Sequence, residues 1–223
     1  NTVNDDDIEI YTDESRTEVL FTWRGLRQQT EKREGVDSKC LADFIAPKES
    51  GVADYIGMFA VTGGLDIEKQ SARFQEQGDD YSDIMLKALG DRFAEGFAEC
   101  LHARVRQDLW GYAAAGDLDN EALIREKYQG IRPAPGYPAC PEHTVKEDMF
   151  KVMQCEDIEM FLTDGFAMHP ASSVSGFYFS HPQSQYFSVG DIGEDQLADF
   201  IQRSGREADE VRRALAFALR DQK

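Results

Sequence analysis

Four of the chain's seven prolines fall in the run Gly130 to Thr144, Gly-Ile-Arg-Pro-Ala-Pro-Gly-Tyr-Pro-Ala-Cys-Pro-Glu-His-Thr. Proline fixes its own φ and biases the residue before it toward extended backbone. Pro133, Pro135, Pro138 and Pro141 therefore predict extended geometry at Arg132, Ala134, Tyr137 and Cys140, and neither a helix nor a central strand can form here. Gly136 leaves one point for a sharp turn or a close approach of backbone to a ligand. The expected product is a stiffened loop that presents one arginine, one tyrosine and several unpaired carbonyls. As composition it reads as a connector between two helices. As a ligand cradle it has little entropy left to lose, and the planar guanidinium of Arg132 suits a carboxylate. Composition leaves both readings open.

At 223 residues the chain is long enough to bury a core, as one large domain or two small ones. Its 41% apolar and 11% aromatic content indicates a folded globule. A net charge of −18 argues against nucleic acid and anionic membrane surfaces as partners, since both need a basic footprint. It favours a cationic ligand or a basic protein. No apolar run is long enough to span a membrane and no signal peptide leads the chain. Cys40, Cys100, Cys140 and Cys155 form no Cys-x-x-Cys pair and read as reduced thiols of a cytoplasmic protein. The chain opens at Asn1 with a short polar lead-in and reads as a fragment of something longer.

Ile8 and Ile10 alternate with acids from Asp6 to Tyr11, and Thr17 to Trp23 reads as a second strand, giving an antiparallel hairpin. The basic stretch Gly25 to Glu34 is a short helix or a loop. Tyr55 to Thr62 is apolar enough for a strand buried on both faces. Asp66 is placed to cap a helix that Gly78 stops. From Asp80 to Trp110, Tyr81, Ile84, Met85, Ala88, Leu89, Phe93, Phe97, Cys100, Leu101, Val105 and Leu109 recur at helical spacing. That helix is about 45 Å long, enough to cross the domain. Gly90 and Gly96 each weaken it by roughly 1 kcal/mol relative to alanine, which points to close packing or a ligand at both.

Asn120 to Tyr128 is a short helix. Thr144, with Glu147 three residues on, predicts a capping box opening a helix from Val145 to about Glu156. Met160 to Thr163 and Val174 to Ser180 read as strands, the latter joined to Gln185–Val189 as a hairpin through His181-Pro182-Gln183-Ser184. Helices from Gly193 to Arg203 and from Glu207 to Arg220 close the chain. The fold class expected is α+β, an antiparallel sheet packed with a long central helix and further helices, in a single domain.

Asp91, Glu95 and Glu99 stand at i, i+4 and i+8 on the long helix, where like charges repel by a few tenths of a kcal/mol per pair. One account is a solvated face compensated by Lys87, Arg92 and His102. The other is that one acid, Glu95 by preference, meets a sulfonium or ammonium group. The four histidines lack zinc-type spacing, so no metal is expected, and no phosphate-binding loop or nucleophile elbow is present. No residue is assigned a catalytic role. Tyr186 and Phe187, adjacent on a predicted strand, point to opposite faces, one toward the core and one toward a surface pocket.

Arg132 to Thr144 resembles the signature loop of the reactivation domain of cobalamin-dependent methionine synthase. The resemblance extends in order through Asp6 to Tyr11, Leu26 to Gln29, Cys40 to Phe44, Asp54 to Gly64, Ala88 to Glu99, Ser173 to Ser180 and Tyr186-Phe187. It implies a domain that binds S-adenosylmethionine over cobalamin carried by a partner domain and supports reductive methylation of inactive cob(II)alamin. It further implies an electron from a flavodoxin or flavoprotein donor, in an enzyme that methylates homocysteine from 5-methyltetrahydrofolate. On the same resemblance Arg132 meets the methionine carboxylate and backbone near Ala134 and Gly136 contacts the ligand. Glu95, Tyr186 and Phe187 line the pocket, and Tyr137 lies toward the cobalamin face. The family's domain begins further upstream, with a segment whose aspartate also holds the ligand and which has no counterpart here. Weak or absent binding by residues 1–223 and no turnover by them alone are therefore expected. A different class of function, a non-catalytic acidic docking module for a cobalamin domain or an electron donor, fits the charge as well.

Overall fold

The computed structural model describes residues 1–114, 116 and 118–219. In chain order its strands and helices are β1 (Thr2–Val3), β2 (Asp7–Tyr11), β3 (Val19–Arg24), β4 (Gly57–Thr62), α1 (Ile67–Glu76), α2 (Asp80–Arg104), α3 (Asn120–Ile124), α4 (Lys146–Val152), β5 (Phe161–Leu162), β6 (Met168–His169), β7 (Ser173–Tyr178), α5 (Glu194–Ser204) and α6 (Ala208–Ala214). The fold is α+β. The chain divides into two compact units, each assembled from separated stretches. Asn1–Gly57, Pro133–Val145 and the stretch from His181 on make the first; Met58–Arg132 and Lys146–Ser180 make the second.

In the first unit the predicted hairpin forms: β2 and β3 pair antiparallel with Ile8 opposite Trp23 and Ile10 opposite Phe21, and β1 adds a short third strand. Ile8, Phe21 and Trp23 are buried, so the alternation read from sequence selects the face that enters the core. The basic stretch after β3 is a loop. The guanidinium of Arg27 is held by Asp6 at 2.7 Å and by both oxygens of Asp43 at 2.7 and 2.9 Å. The side-chain amide of Gln196 on α5 pairs with the Arg27 main chain at 2.6 and 2.9 Å, as a neighbouring strand would. Leu197, Phe200, Val211 and Leu215 of α5 and α6 close on Leu26, Val189 and Ile192. Each such side chain stabilises the unit by about 1.5–3 kcal/mol. Gly205 in the left-handed region, φ 65°, ends α5 at Ser204, one residue past the expected Arg203. α6 stops at Ala214, well before the expected Arg220, which lies outside the described residues.

The proline run has no helix or named strand, as its prolines require, but it is not uniformly extended. Tyr137 N–H donates to the Ala134 carbonyl (3.3 Å), Cys140 N–H to Tyr137 (2.9 Å), and Gly136 N–H to Cys140 (2.8 Å). Val189 N–H donates to Pro138 (2.8 Å). Four carbonyls expected to be unpaired are therefore satisfied, because alternate residues keep the N–H that proline lacks. Gly136 makes the turn at φ 94°. At the end of the run, Glu142 accepts from the N–H of Thr144 at 2.6 Å and of Val145 at 3.3 Å, and α4 begins one residue later than predicted and ends at Val152.

The strand expected over Gln185–Val189 is absent. The turn at His181–Ser184 forms, with Ser184 N–H donating to His181 at 2.9 Å, but residues 184–190 are irregular. In the second unit β7 pairs with β4 instead, and the rings of Phe59 and Tyr178 stack at 4.7 Å. A partner more than a hundred residues away in sequence outcompetes the local hairpin because it buries aromatic surface. β4 is fully buried only at Phe59 and Val61, with half-buried residues between them, so one face rather than both is enclosed. β5 finds an antiparallel partner in β6.

Asp66 does not cap α1: it sits at φ 61° with no side-chain bond to the helix. Asp79 does cap α2, accepting from Ser82 N–H at 3.0 Å. Asp83 ties the two helices, accepting from Ser71 at 2.5 Å, Gln75 at 3.0 Å and Lys87 at 2.9 Å. α2 runs 25 residues and then widens into a π-helical turn over Val105–Leu109. Its packing inverts the sequence expectation. The inward residues are Asp83, Gly90, Ala94, Ala98 and His102, while Tyr81, Ile84, Met85, Leu89, Phe93 and Phe97 are exposed. The small residues let the helix lie close to its neighbours: a Cβ on Gly90 would stand 2.2 Å from Ile67 and 2.8 Å from Ser172 Oγ, and one on Gly63 2.8 Å from the Gly90 carbonyl. No such constraint acts at Gly96, where a Cβ would meet open space.

Candidate functional site

The acid stripe on α2 is resolved residue by residue. Asp91 accepts from the Ser172 hydroxyl at 2.7 Å. Glu95 is exposed, with no recorded partner among the described residues. Glu99 receives Arg132: Nη2 donates to Oε2 at 2.6 Å. The compensation expected from Lys87 goes to Asp83. His102 is not a compensating cation either.

Arg132 closes the second unit's first stretch, immediately after Ile131, whose N–H and C=O pair with Phe179 at 3.0 Å each. That short ladder fixes where the arginine leaves the backbone. Gly130, φ 90°, precedes it, and a Cβ there would lie 2.6 Å from the Tyr112 hydroxyl, so glycine is required on both counts. Arg132 Nη1 donates to the Tyr128 hydroxyl at 2.9 Å and to His102 Nδ1 at 3.1 Å. A guanidinium has no lone pair to offer, so Nδ1 must be the acceptor and Nε2 must carry the proton, which faces Tyr112 Oη at 3.2 Å. Burial first, then the guanidinium charges of Arg106 and Arg132, hold the His102 pKa down to about 3. The ring is neutral, stacked on Tyr178 at 5.0 Å and edge-on to Tyr128 at 5.2 Å. Burial pushes the Tyr128 and Tyr178 phenols upward, so both stay protonated near neutrality.

Beneath this set lies Arg106, 1% exposed, its guanidinium carbon 3.8 Å above the Tyr128 ring and its Nη2 3.9 Å from Glu99 Oε1. Two guanidinium groups thus share one carboxylate. Glu99, His102 and Arg106 occupy i, i+3 and i+7 of the helix and its π extension, so a single face delivers all three to Arg132. That spacing is present in the sequence. The expectation centred on Glu95 differs from this because Glu95 and Glu99 carry the same charge one turn apart, and only the tertiary partner Arg132 distinguishes them.

Of the seven residues proposed from sequence to contact a ligand, Arg132 and Glu95 fall in the second unit, and Ala134, Gly136, Tyr137, Tyr186 and Phe187 in the first. Within the first, the bond from Val189 N–H to Pro138 brings the aromatic pair's segment onto the proline run. Tyr137 and Tyr186 are exposed, and Phe187 packs against the core formed with α5 and α6. Phe187 thus goes to the core, as expected of one ring of the pair, while the two hollows named next do not include Tyr186. Two surface hollows, of about 340 Å³ beside Glu9, Tyr11 and Tyr55 and about 490 Å³ beside Phe150, Cys155 and Met160, contain none of the seven. Among the described residues no cluster of His, Cys, Asp and Glu is suited to a metal ion, and no helix is long and apolar enough to cross a membrane.

A family model described as the activation domain of vitamin B12-dependent methionine synthase matches residues 1–205. A solved structure described as the crystal structure of the MetH reactivation domain bound to AdoHcy is 56% identical to this chain, with a TM-score of 0.95. The match covers 100% of this chain and 68% of the solved one.

Proposed function

The chain belongs to the activation-domain family of vitamin B12-dependent methionine synthase, and from that premise we propose that it binds S-adenosylmethionine for reactivation of the enzyme. The observation that carries this reading is the 56% identity, across the whole chain, to a reactivation domain described as bound to AdoHcy. Residues 1–223 act as part of a single domain, with the flavodoxin or flavoprotein electron donor and the cobalamin domain as its partners. S-adenosylmethionine supplies an electrophilic methyl group for reductive methylation of cob(II)alamin. This chain's own residues bind and orient it, and turnover needs the cobalamin domain.

Arg132 is the residue for the ligand's carboxylate. Its guanidinium is held in place by Glu99, His102 and Tyr128, so little side-chain entropy remains to be lost on binding. Glu95, exposed one helical turn before Glu99, is a carboxylate placed for a sulfonium or ammonium group. Gly136 turns the proline run at φ 94° and presents backbone without a side chain in the way, while Ala134, Tyr137, Tyr186 and Phe187 supply the remaining contacts. The arrangement performs no bond chemistry; it aligns a methyl donor with an acceptor held by another domain.

The test is calorimetry with S-adenosylhomocysteine on residues 1–223 and on a protein extended to the length of the 56%-identical relative, each with and without Arg132→Ala. Weak or absent heat from residues 1–223, and binding by the longer protein that Arg132→Ala lowers at least tenfold, are expected. A longer protein that ignores the ligand, or binds it regardless of Arg132, would overturn the reading in favour of an acidic docking module.

A further inference from the structure

Three polar atoms beside Arg132 are buried without a hydrogen-bond partner among the described residues: Glu99 Oε1 and both Nη atoms of Arg106. A buried charged donor without an acceptor is costly, and folded proteins almost always supply one. Here the unsatisfied donors and the unsatisfied acceptor are neighbours. Arg106 Nη2 is 3.9 Å from Glu99 Oε1, about 1 Å beyond a charge-assisted hydrogen bond. Among the described residues Glu99 is the carboxylate Arg106 reaches, and Arg106 is too deeply buried for water to replace it. The π-helical turn over Val105–Leu109 carries Arg106 into this place.

The carboxylate's other oxygen is engaged, since Oε2 accepts from Arg132 Nη2 at 2.6 Å. Glu99 thus has two guanidinium groups within reach and is bonded to one of them. The last torsion of a glutamate side chain is broad and two-fold, so a small turn moves the carboxylate from one arginine to the other without a forbidden rotamer. Arg132 has two further holds if Glu99 leaves, because Nη1 donates to Tyr128 Oη at 2.9 Å and to His102 Nδ1 at 3.1 Å. Both of those partners are uncharged, and neither opposes an anion.

A carboxylate approaching Arg132 meets a guanidinium whose charge Glu99 already balances, and two carboxylates on one guanidinium repel. We propose that Glu99 is an exchangeable clamp: an incoming ligand carboxylate displaces it from Arg132, and Arg106 receives it in the hydrogen bond that this structure leaves unmade. Arg106 is then a positioning residue. It lies too deep to touch the ligand, and its charge is held in reserve for the displaced acid. The proposal rests on the reading that Arg132 takes the ligand's carboxylate, and it adds how the site selects for that group. A ligand without a carboxylate leaves the clamp where it is.

Two measurements test it. The first is a crystal structure of residues 1–223 with Arg132→Met, which removes the clamp's present partner and needs no ligand. Glu99 Oε1 should close on Arg106 Nη2 from 3.9 Å to about 2.8 Å. A carboxylate that stays in place or swings into solvent overturns the proposal. The second is calorimetry, on whichever of the two proteins compared above binds S-adenosylhomocysteine, with that ligand and its decarboxylated analogue. Arg106→Met should weaken S-adenosylhomocysteine about tenfold or more and the analogue by less than about twofold. In a Glu99→Gln background it should change either affinity by less than about twofold, because no displaced acid remains to be received. Equal loss for both ligands, as a structural role would give, overturns the proposal. So does a tenfold loss that persists without Glu99, which would make Arg106 act by its charge alone. If neither protein binds S-adenosylhomocysteine, the functional reading fails and the clamp with it, before any Arg106 variant is made. Should Arg106→Met not fold, the crystal comparison decides, since it leaves Arg106 intact; should Arg132→Met not fold, the calorimetry decides.

Discussion

Arg132 Nη2 stands 2.6 Å from Glu99 Oε2, and the other oxygen of that carboxylate is 3.9 Å from Arg106 Nη2. One half-exposed carboxylate therefore balances two guanidinium groups, one of them almost wholly buried. Replacing it as Glu99→Gln keeps the shape and removes the charge. The expected cost is about 2 kcal/mol, below the 3–5 kcal/mol of a fully buried pair because the carboxylate retains some solvent. Urea unfolding measures it, and an unchanged midpoint would show that Arg132 is held by His102 and Tyr128 alone.

The neutral His102 ring makes stability depend on pH. Its folded pKa of about 3 lies below the ordinary value of 6.5, so between these limits the unfolded chain binds the extra proton. This contribution is complete above about pH 6.5 and falls by about 1.4 kcal/mol per unit as pH drops toward 3. His102→Gln should flatten that limb of the stability curve. A slope equal to that of the parent over pH 4–6 would mean the proton goes elsewhere.

Gly90 and Gly96 look alike in sequence and should behave oppositely. Gly90→Ala drives a methyl group into Ile67 and Ser172 and should cost about 1–3 kcal/mol. Gly96→Ala meets open space and should stabilise residues 1–223 by roughly 1 kcal/mol through helix propensity. Thermal melts of the two variants test the pair, and equal shifts would contradict the packing described.

In the first unit Arg203 of α5 reaches the buried carboxylate of Asp7 on β2 and the carbonyl of Gly25 at 3.2 Å. Desolvation pushes the Asp7 pKa upward against the pull of Arg203, so this carboxylate depends on its partner. Arg203→Ala should cost about 3 kcal/mol, and Asp7→Asn in that background should recover part of it. Denaturant unfolding of the two variants decides; no recovery would place the cost in lost packing of the arginine stem.

Asp83 is held down to about 2 by hydrogen bonds from Ser71, Gln75 and Lys87. Because its folded pKa is below the ordinary 3.8, its stabilising effect is present above about pH 4 and is lost as pH falls toward 2. Asp83→Asn should be less stable than the parent at pH 6, with the gap narrowing at pH 2. A gap constant with pH would assign the effect to packing.

Local physics made much of this protein readable before any coordinates. Alternating Ile8 and Ile10 gave the hairpin, and four prolines a run that no helix or strand could occupy. Motif resemblance pointed to the family and to Arg132. Tertiary structure decided the rest, because periodicity finds an apolar face without saying what covers it. Tyr81 to Phe97 scan as a core stripe, yet Gly90, Ala94 and Ala98 face inward, since only small side chains let α2 approach Ile67, Ser172 and the aromatic pair Phe59–Tyr178. For the same reason β7 found β4 rather than Gln185–Val189, and Arg132 found Glu99. Such partners lie tens of residues away, and the surface they bury leaves no mark on their immediate neighbours in the chain.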